Sequence, residues 1–238
     1  MNVNFFWSGP SWQFINRVTI ASHLKVGHNV IMWTHDKKPK NKFWVDDMPV
    51  VFEDSNKYLN VAEKLATGWN FRTISTIFQY EFMKKTGEYT ADCDAIALKH
   101  WPDEKWCLVS ESEQLISSVG VLRVPPNHPV LDCAITRAKK TWGNVRVFSD
   151  CCKKRGLKST YNPKEFYPVS PHKREKIPYI LRDSPIPNAY SYHAFFNSFG
   201  EKNVTEDTIV KEYENSLLKR IADWALEKYG YVKKNVKI

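Results

Sequence analysis

Apolar residues run along this chain in short blocks, and their spacing alternates between two periods. The block over residues 3–7 (Val-Asn-Phe-Phe-Trp) is followed by the turn Ser8-Gly9-Pro10 and predicts a first strand. Trp12, Ile15, Val18, Ile20, Ala21 and Leu24 then recur at helical spacing, and Gly27 closes that helix. Residues 29–33 predict a second buried strand. A strand-helix-strand opening of this kind is how a parallel sheet begins. A polar, Lys-rich loop covers residues 34–42, residues 49–53 predict another strand, and residues 58–66 a short helix closed by Gly68.

Asn70 is placed to cap the next helix, whose apolar face is Phe71, Ile74, Ile77, Phe78 and Phe82. Lys84 and Lys85 fall in its last turn, where cations suit the helix dipole, and Gly87 ends it. Strands are predicted near residues 106–109 and 119–124, and a helix over 129–139. Residues 151–187 are rich in Pro, Lys and Arg with weak periodicity, which predicts a long irregular connection. Residues 189–199 are aromatic and apolar. Residues 208–229 predict an amphipathic helix through Ile209, Tyr213, Leu217, Ile221, Trp224 and Leu226, stopped by Gly230. The basic tail 233–238 is expected to fray. With no internal repeat, the expectation is one α/β domain over 1–238. Its core spans about 1–200, and a C-terminal amphipathic helix about 205–230. The central sheet is mixed and mostly parallel, flanked by helices.

Composition narrows the classes. The 238 residues are 42% hydrophobic, enough for a sizeable core rather than a disordered chain. Aromatics make up 14%, which serves either core packing or flat carbohydrate-binding faces. The net charge of +9 would attract nucleic acid, an anionic membrane or a polyanionic substrate. Lys and Arg read as spread along the chain, and no nucleic-acid motif is present, so no nucleic-acid partner is expected. The five cysteines, Cys93, Cys107, Cys133, Cys151 and Cys152, include no C-x-x-C pair, so a zinc knuckle is not indicated. An odd count with two adjacent residues points to reduced thiols in a cytoplasmic setting. The N-terminus has no signal-peptide pattern, and no segment reaches the length of a membrane span, leaving at most peripheral association with a membrane. The Asn203-Val204-Thr205 sequon is then incidental.

The candidate chemistry lies in residues 86–99. A helix end and a Gly turn lead into a short strand, then Asp92-Cys93-Asp94, then a second apolar run. Alternate residues of a strand share a side, so Asp92 and Asp94 can converge on one hard cation, Mg2+ or Mn2+, that keeps open positions for phosphate oxygens. Asp-x-Asp alone is a weak motif and also occurs in solvated turns. Its place at the exit of a strand, where α/β sheets put ligands, strengthens it.

Three passages in order resemble the glycosyltransferases with a DXD sugar-donor motif: the capsular, mannosyl and galactosyl transferases and, more distantly, the glucosylating toxins. The first is Phe5-Phe6-Trp7-Ser8-Gly9 followed by Gly27-His28-Asn29-Val30-Ile31-Met32-Trp33. The second runs from Ser75-Thr76-Ile77-Phe78-Gln79-Tyr80 through Gly87 to Asp92-Cys93-Asp94. The third is 189–198, with His193, Asn197 and Ser198. Asn127-His128-Pro129-Val130 and Phe166-Tyr167-Pro168 are also similar to short motifs of that family. The likeness covers most of residues 3–200. It implies a GT-A-like fold and a metal-dependent transfer of a sugar from a nucleoside-diphosphate sugar, UDP favoured, to a glycan or other hydroxyl acceptor in polysaccharide biosynthesis, with retention. It implies Asp94 as a direct metal ligand and Asp92 as a ligand through water or a partner of the donor. His193 would complete the metal shell or bind the diphosphate, with an ordinary partly buried histidine among aromatics as the other reading. Phe6 and Trp7 would lie near the base, where Trp7 is equally at home in the core. Ser75, Thr76 and Gln79 would face the donor from one helix, where they could equally form a polar stripe toward solvent. Asn197 and Ser198 would contact the diphosphate.

The chain departs from the family's Ser-Asp-x-x-Arg-Tyr and Gly-Gly pattern at Thr76, Gln79 and Glu88, which bears on nucleotide and sugar choice. Glu111 and Glu113 share one parity after a predicted strand. Glu113 is thereby a candidate general base, unless both sit in a solvated loop. A nucleotidyltransferase would need a further carboxylate and a Gly-rich triphosphate loop, and no Gly-x-x-x-x-Gly-Lys pattern occurs. A non-catalytic basic module for a polyanion is the remaining alternative.

Overall fold

The computed structural model describes residues 1–8, 14–35, 45–110, 120–142, 144, 146–169, 186–194 and 216–230. The first strand, β1 (Asn2–Trp7), lies inside a six-stranded sheet. It pairs in parallel with β2 (Asn29–Thr34) on one side, from Asn2 opposite Asn29 to Trp7 opposite Thr34. On the other side it pairs in parallel with β4 (Tyr89–Ala91). Outside β2 lies β3 (Val51–Asp54), also parallel. Beyond β4 come β7 (Val121–Arg123) and β6 (Cys107–Leu108), both antiparallel to their neighbours. The order is β3-β2-β1-β4-β7-β6, so the α/β class and the mostly parallel mixed sheet agree with the pattern read from the sequence.

Alternation along β1 separates two cores. Val3 and Phe5 join a cluster with the helix α1 (Phe14–Lys25), while Phe6 stacks on Phe78 of the opposite layer with ring centroids 4.6 Å apart. Helices on both faces explain why Phe5, Phe6 and Trp7 follow one another without apolar-polar alternation. The opposite layer is built on α3 (Phe71–Thr86). Asn70 accepts from the Thr73 amide and caps its start. Gly87 ends it at φ +67° with its N–H on the Met83 carbonyl. A β-carbon on Gly87 would come within 2.6 Å of the Pro126 ring, so packing and backbone both call for glycine there.

α1 is buried on nearly every side: residues 14–23 are all inaccessible, polar ones included. The sheet covers one face, and the C-terminal helix α7 (Leu217–Leu226) covers another. Arg17 donates two bonds of 2.8 Å to the Asp47 carboxylate and two more to the Tyr229 and Gly230 carbonyls beyond the end of α7. The guanidinium holds the Asp47 carboxyl below the usual carboxylate range.

Several expectations are corrected. The stretch read as a long irregular connection begins inside a helix, α5 (Arg146–Lys154), and holds a one-turn helix, α6 (Pro163–Phe166). In α5 the inward set is Val147, Phe148, Ser149, Cys151 and Cys152, so the cysteines act as the apolar residues that complete the helical pattern. In α6, Asn162 and Glu165 form a reciprocal capping box around Pro163, a purely local signal. The helix expected at 58–66 begins only at Val61 (α2, Val61–Ala66), capped by Asn60, and a separate 3-10 turn (Ser55–Lys57) precedes it. The cysteines are not all reduced: Cys133 on α4 (Pro129–Lys140) is disulfide-bonded to Cys151, their Cα atoms 6.0 Å apart. Packing of α5 on α4 brings them together, which their spacing in sequence does not show. Cys93, Cys107 and Cys152 are free thiols and buried. Among the described residues no helix is long and apolar enough to cross a membrane. Of the predicted C-terminal helix, residues 208–215 lie outside the described part.

Candidate metal centre

After β4 the chain turns over Asp92-Cys93-Asp94 into β5 (Ala95–Ala97). The two carboxylates therefore stand on a turn, closed by the Ala95 amide donating to the Asp92 carbonyl at 3.0 Å. Strand alternation is not what makes them converge; the tight reversal is. β5 pairs antiparallel with β8 (Ser191–His193), which sets His193 opposite Ala95. His193 Nε2 lies 3.4 Å from Asp94 Oδ1 and 3.7 Å from Asp92 Oδ2. One ligand atom from each of the three residues falls within 4.8 Å of the others.

This triad sits at the carboxyl edge of the parallel strands. β2 and β3 lie on one side of β1 and β4 on the other, so strand order reverses between β1 and β4. A crevice opens at such a reversal, because the two crossovers leave in opposite directions, and ligands of open α/β sheets bind there. Asp92 immediately follows β4 at that point.

The backbone of the turn is held at every residue. Asp92 N–H donates to the Gly120 carbonyl at 2.9 Å, and Asn16 of α1 donates to the Cys93 carbonyl at 3.0 Å. The Ala194 amide donates to the Asp94 carbonyl at 2.9 Å, and His23 of α1 meets the Ala95 carbonyl at 2.9 Å. The Cys93 thiol points inward to the Phe6 carbonyl at 3.6 Å. Burial first, and then the two flanking carboxylates, push its pKa well up, so it stays a neutral thiol. α1, β1 and the residues flanking β7 and β8 thus fix the turn before any ligand arrives, and little reorganisation remains to be done on binding.

Side chains complete the arrangement. Gln79 of α3 donates through Nε2 to Asp92 Oδ1 at 2.9 Å, leaving Oδ2 toward His193. Its Oε1 is buried with no hydrogen-bond partner among the described residues. Gly120 forms a cradle: a β-carbon there would lie 2.6 Å from the Tyr167 hydroxyl and 2.7 Å from the His193 ring. We expect Gly120→Ala to push His193 off the carboxylates and cut divalent-metal affinity at least tenfold, a penalty of about 1–3 kcal/mol typical of overpacking. Manganese titration followed by calorimetry measures it, and unchanged affinity would contradict the placement of His193.

Two carboxylates and one imidazole form a hard oxygen set with one nitrogen. That set suits Mn2+ or Mg2+, and the nitrogen tilts it toward manganese. Asp92 keeps about a third of its side chain exposed, against 15% for Asp94, so an ion held here would have an open side at Asp92. The residues therefore fit such a cation.

The other expected site residues are less uniform in position. Trp7 is half-buried at the end of β1, on the same sheet edge as Asp92. Phe6 is taken up by the core against Phe78. Ser75 is half-buried, and the Thr76 hydroxyl donates to the Arg72 carbonyl of its own helix at 3.0 Å. Glu111, Glu113, Asn197 and Ser198 lie outside the described residues. The sequence did not single out Asn16, His23 or Gly120, and it marked Tyr167 only as part of the short motif 166–168.

His23 belongs to a buried chain of imidazoles. The Trp101 amide donates to His28 Nε2 at 3.0 Å, so the His28 proton sits on Nδ1. That proton points to His23 Nδ1 at 2.9 Å, which leaves the His23 proton on Nε2, facing the Ala95 carbonyl. Both rings are neutral. Burial lowers His23 to about 4, with the Ala95 bond opposing it. Burial, then the charges of His23, His100 and the N-terminal amine, lower His28 to about 2.

Comparison of the chain with protein-family models finds no matching model, and comparison with curated proteins finds no matching sequence. The functional reading therefore rests on this geometry and on the motifs that led to it.

Proposed function

We propose that this protein is a metal-dependent glycosyltransferase. It would move a sugar from a nucleoside-diphosphate sugar, UDP favoured, to a glycan or other hydroxyl acceptor. The observation that carries the reading is the convergence of Asp92, Asp94 and His193 at the point where strand order reverses. In such a transfer the bond from the anomeric carbon to the diphosphate oxygen breaks and leaves new negative charge on the diphosphate. A divalent cation, when bound, supplies Lewis-acid stabilisation of that leaving group.

The chain's own groups do the remaining work in this proposal. Asp94 and His193 would hold the ion, with Asp92 beside them on the open side. Gln79 orients Asp92 through its 2.9 Å bond. The clamped turn keeps the carboxylates in place while charge develops. Trp7, beside the crevice, offers a flat face to the base. Glu113 remains the proposed acceptor base and retention the proposed stereochemical course. A nucleotidyltransferase is less well served, since the cluster brings together two carboxylates among the described residues.

Calorimetry with a panel of UDP- and GDP-sugars, with and without manganese, tests the proposal. Manganese-dependent binding of at least one donor is expected, with slow hydrolysis of that donor in the absence of acceptor. If no donor binds in either condition, the proposal fails.

A further inference from the structure

The positive charge of this chain is concentrated in one helical pair, contrary to the even spread that its Lys and Arg first present. Residues 137–158 carry eight of the 35 Lys and Arg and one of the 26 Asp and Glu, a net +7 out of +9. Arg137, Lys139 and Lys140 end α4. Arg146, Lys153 and Lys154 lie on α5, and Arg155 and Lys158 follow it.

The fold turns these outward. α4 buries Val130, Leu131, Ala134, Ile135 and Ala138, and α5 buries its own apolar side. What α5 shows to solvent is Arg146, Asp150, Lys153 and Lys154, a single stripe at helical spacing. The lone acid, Asp150, is met by Arg137 at 3.2 Å, and Lys139 reaches Glu81 only at 3.6 Å. In the turn between the helices stands Trp142. It is 58% exposed, more than any other large hydrophobic among the described residues, and its backbone is left-handed at φ +54°. An indole projecting into water beside a cluster of cations is a cost that contact with a surface would relieve.

We propose that the outer face of α4 and α5 docks on an anionic lipid surface, with Trp142 entering the headgroup region. Cations near a membrane are attracted by acidic headgroups, and indoles favour the interfacial layer. The apolar sides of both helices are spent inside the protein, so neither is left to insert, and the attachment is peripheral and salt-sensitive. Single-stranded nucleic acid is the weaker fit, because its binders offer successive aromatic platforms and this face offers one.

Co-sedimentation of the full chain with vesicles tests it, comparing phosphatidylcholine alone with a phosphatidylcholine–phosphatidylserine mixture at about 0.1 M salt. Binding is expected only to the acidic vesicles, with release at high salt. The variant Lys140→Gln/Arg146→Gln/Lys154→Gln/Arg155→Gln should lose at least a hundredfold in partition, at about fivefold per cation. Trp142→Ser should lose about tenfold. Both variants should keep the wild-type melting temperature and the wild-type response to manganese and donor. Equal binding to neutral and acidic vesicles would overturn the proposal. So would a quadruple variant that partitions like the wild type, or capture of a single-stranded oligonucleotide with vesicles ignored.

Discussion

Asp94→Asn is expected to abolish manganese-dependent donor binding, by at least about a hundredfold, and to lower transfer by about a thousandfold or more. Asp94 is the less exposed of the two carboxylates and stands nearer to His193, at 3.4 Å against 3.7 Å for Asp92. The amide is isosteric but carries no charge, so it gives up the attraction to a dication while keeping the shape of the turn. The turn is held through its backbone, including the Asp94 carbonyl, and that bond survives the substitution. Relief of repulsion between two neighbouring carboxylates means stability should hold or rise slightly. Gln79→Leu should be milder, about tenfold in metal or donor affinity, because it only frees Asp92 to rotate. Donor titration and melting temperature, measured on both variants, separate these effects. Wild-type donor affinity in a folded Asp94→Asn protein would remove the carboxylate pair from the chemistry.

Acidification is expected to destabilise the protein well before its carboxylates are protonated. His23 and His28 are neutral in the fold, with pKa values lowered to about 4 and about 2 from an unfolded value near 6.5. Between those values the unfolded chain binds protons that the folded chain refuses, so stability falls as pH falls. It is complete above about pH 6.5. The His23 share is lost by about pH 4, and the His28 share continues to shrink toward about pH 2. Each pH unit costs about 1.4 kcal/mol per group. By pH 4 the pair costs roughly 6 kcal/mol, comparable with the whole stability of many domains. Asp47, held low by Arg17, adds its loss only below about pH 4. Urea unfolding at several pH values between 7 and 4.5 reads the slope directly, and His28→Gln should flatten it by about half. A wild-type stability that stays level across that range would mean the imidazoles are not buried and neutral.

The consequence of the histidine chain for the site is mechanical. His23 supports the Ala95 carbonyl, one residue past Asp94, and Asn16 supports Cys93 from the same helix. Apolar spacing identified α1 but assigned it a single buried face. The second buried face exists because α7 packs on it from the far end of the chain. No local pattern reports a contact between residues some two hundred positions apart. The same holds for Gly120 and Tyr167, which matter because their neighbour is His193.

The cysteines show a complementary limit. Counted as redox groups, five thiols pointed to a reduced setting. In the fold, Cys151 and Cys152 supply the inward face of α5, and Cys151 bonds to Cys133. Treating cysteine as a small hydrophobe would have completed the period of α5 and found the helix. The pairing itself needed the packing of α5 on α4.

What the chain alone determined was local. A cap and a stop placed α3, apolar spacing placed α1, apolar runs placed β1 and β2, and a Gly turn and the acidic pair bracketed β4. These follow from short-range sterics, side-chain capping and solvent avoidance, all of which act within a few residues. The tertiary structure alone decided how Asp92 and Asp94 meet, through a turn rather than a strand. It also set the register that lays His193 against Ala95 and turned the cations of residues 137–158 outward. Those outcomes depend on which distant surfaces become neighbours, and burial of shared apolar area settles that only when the whole chain has packed.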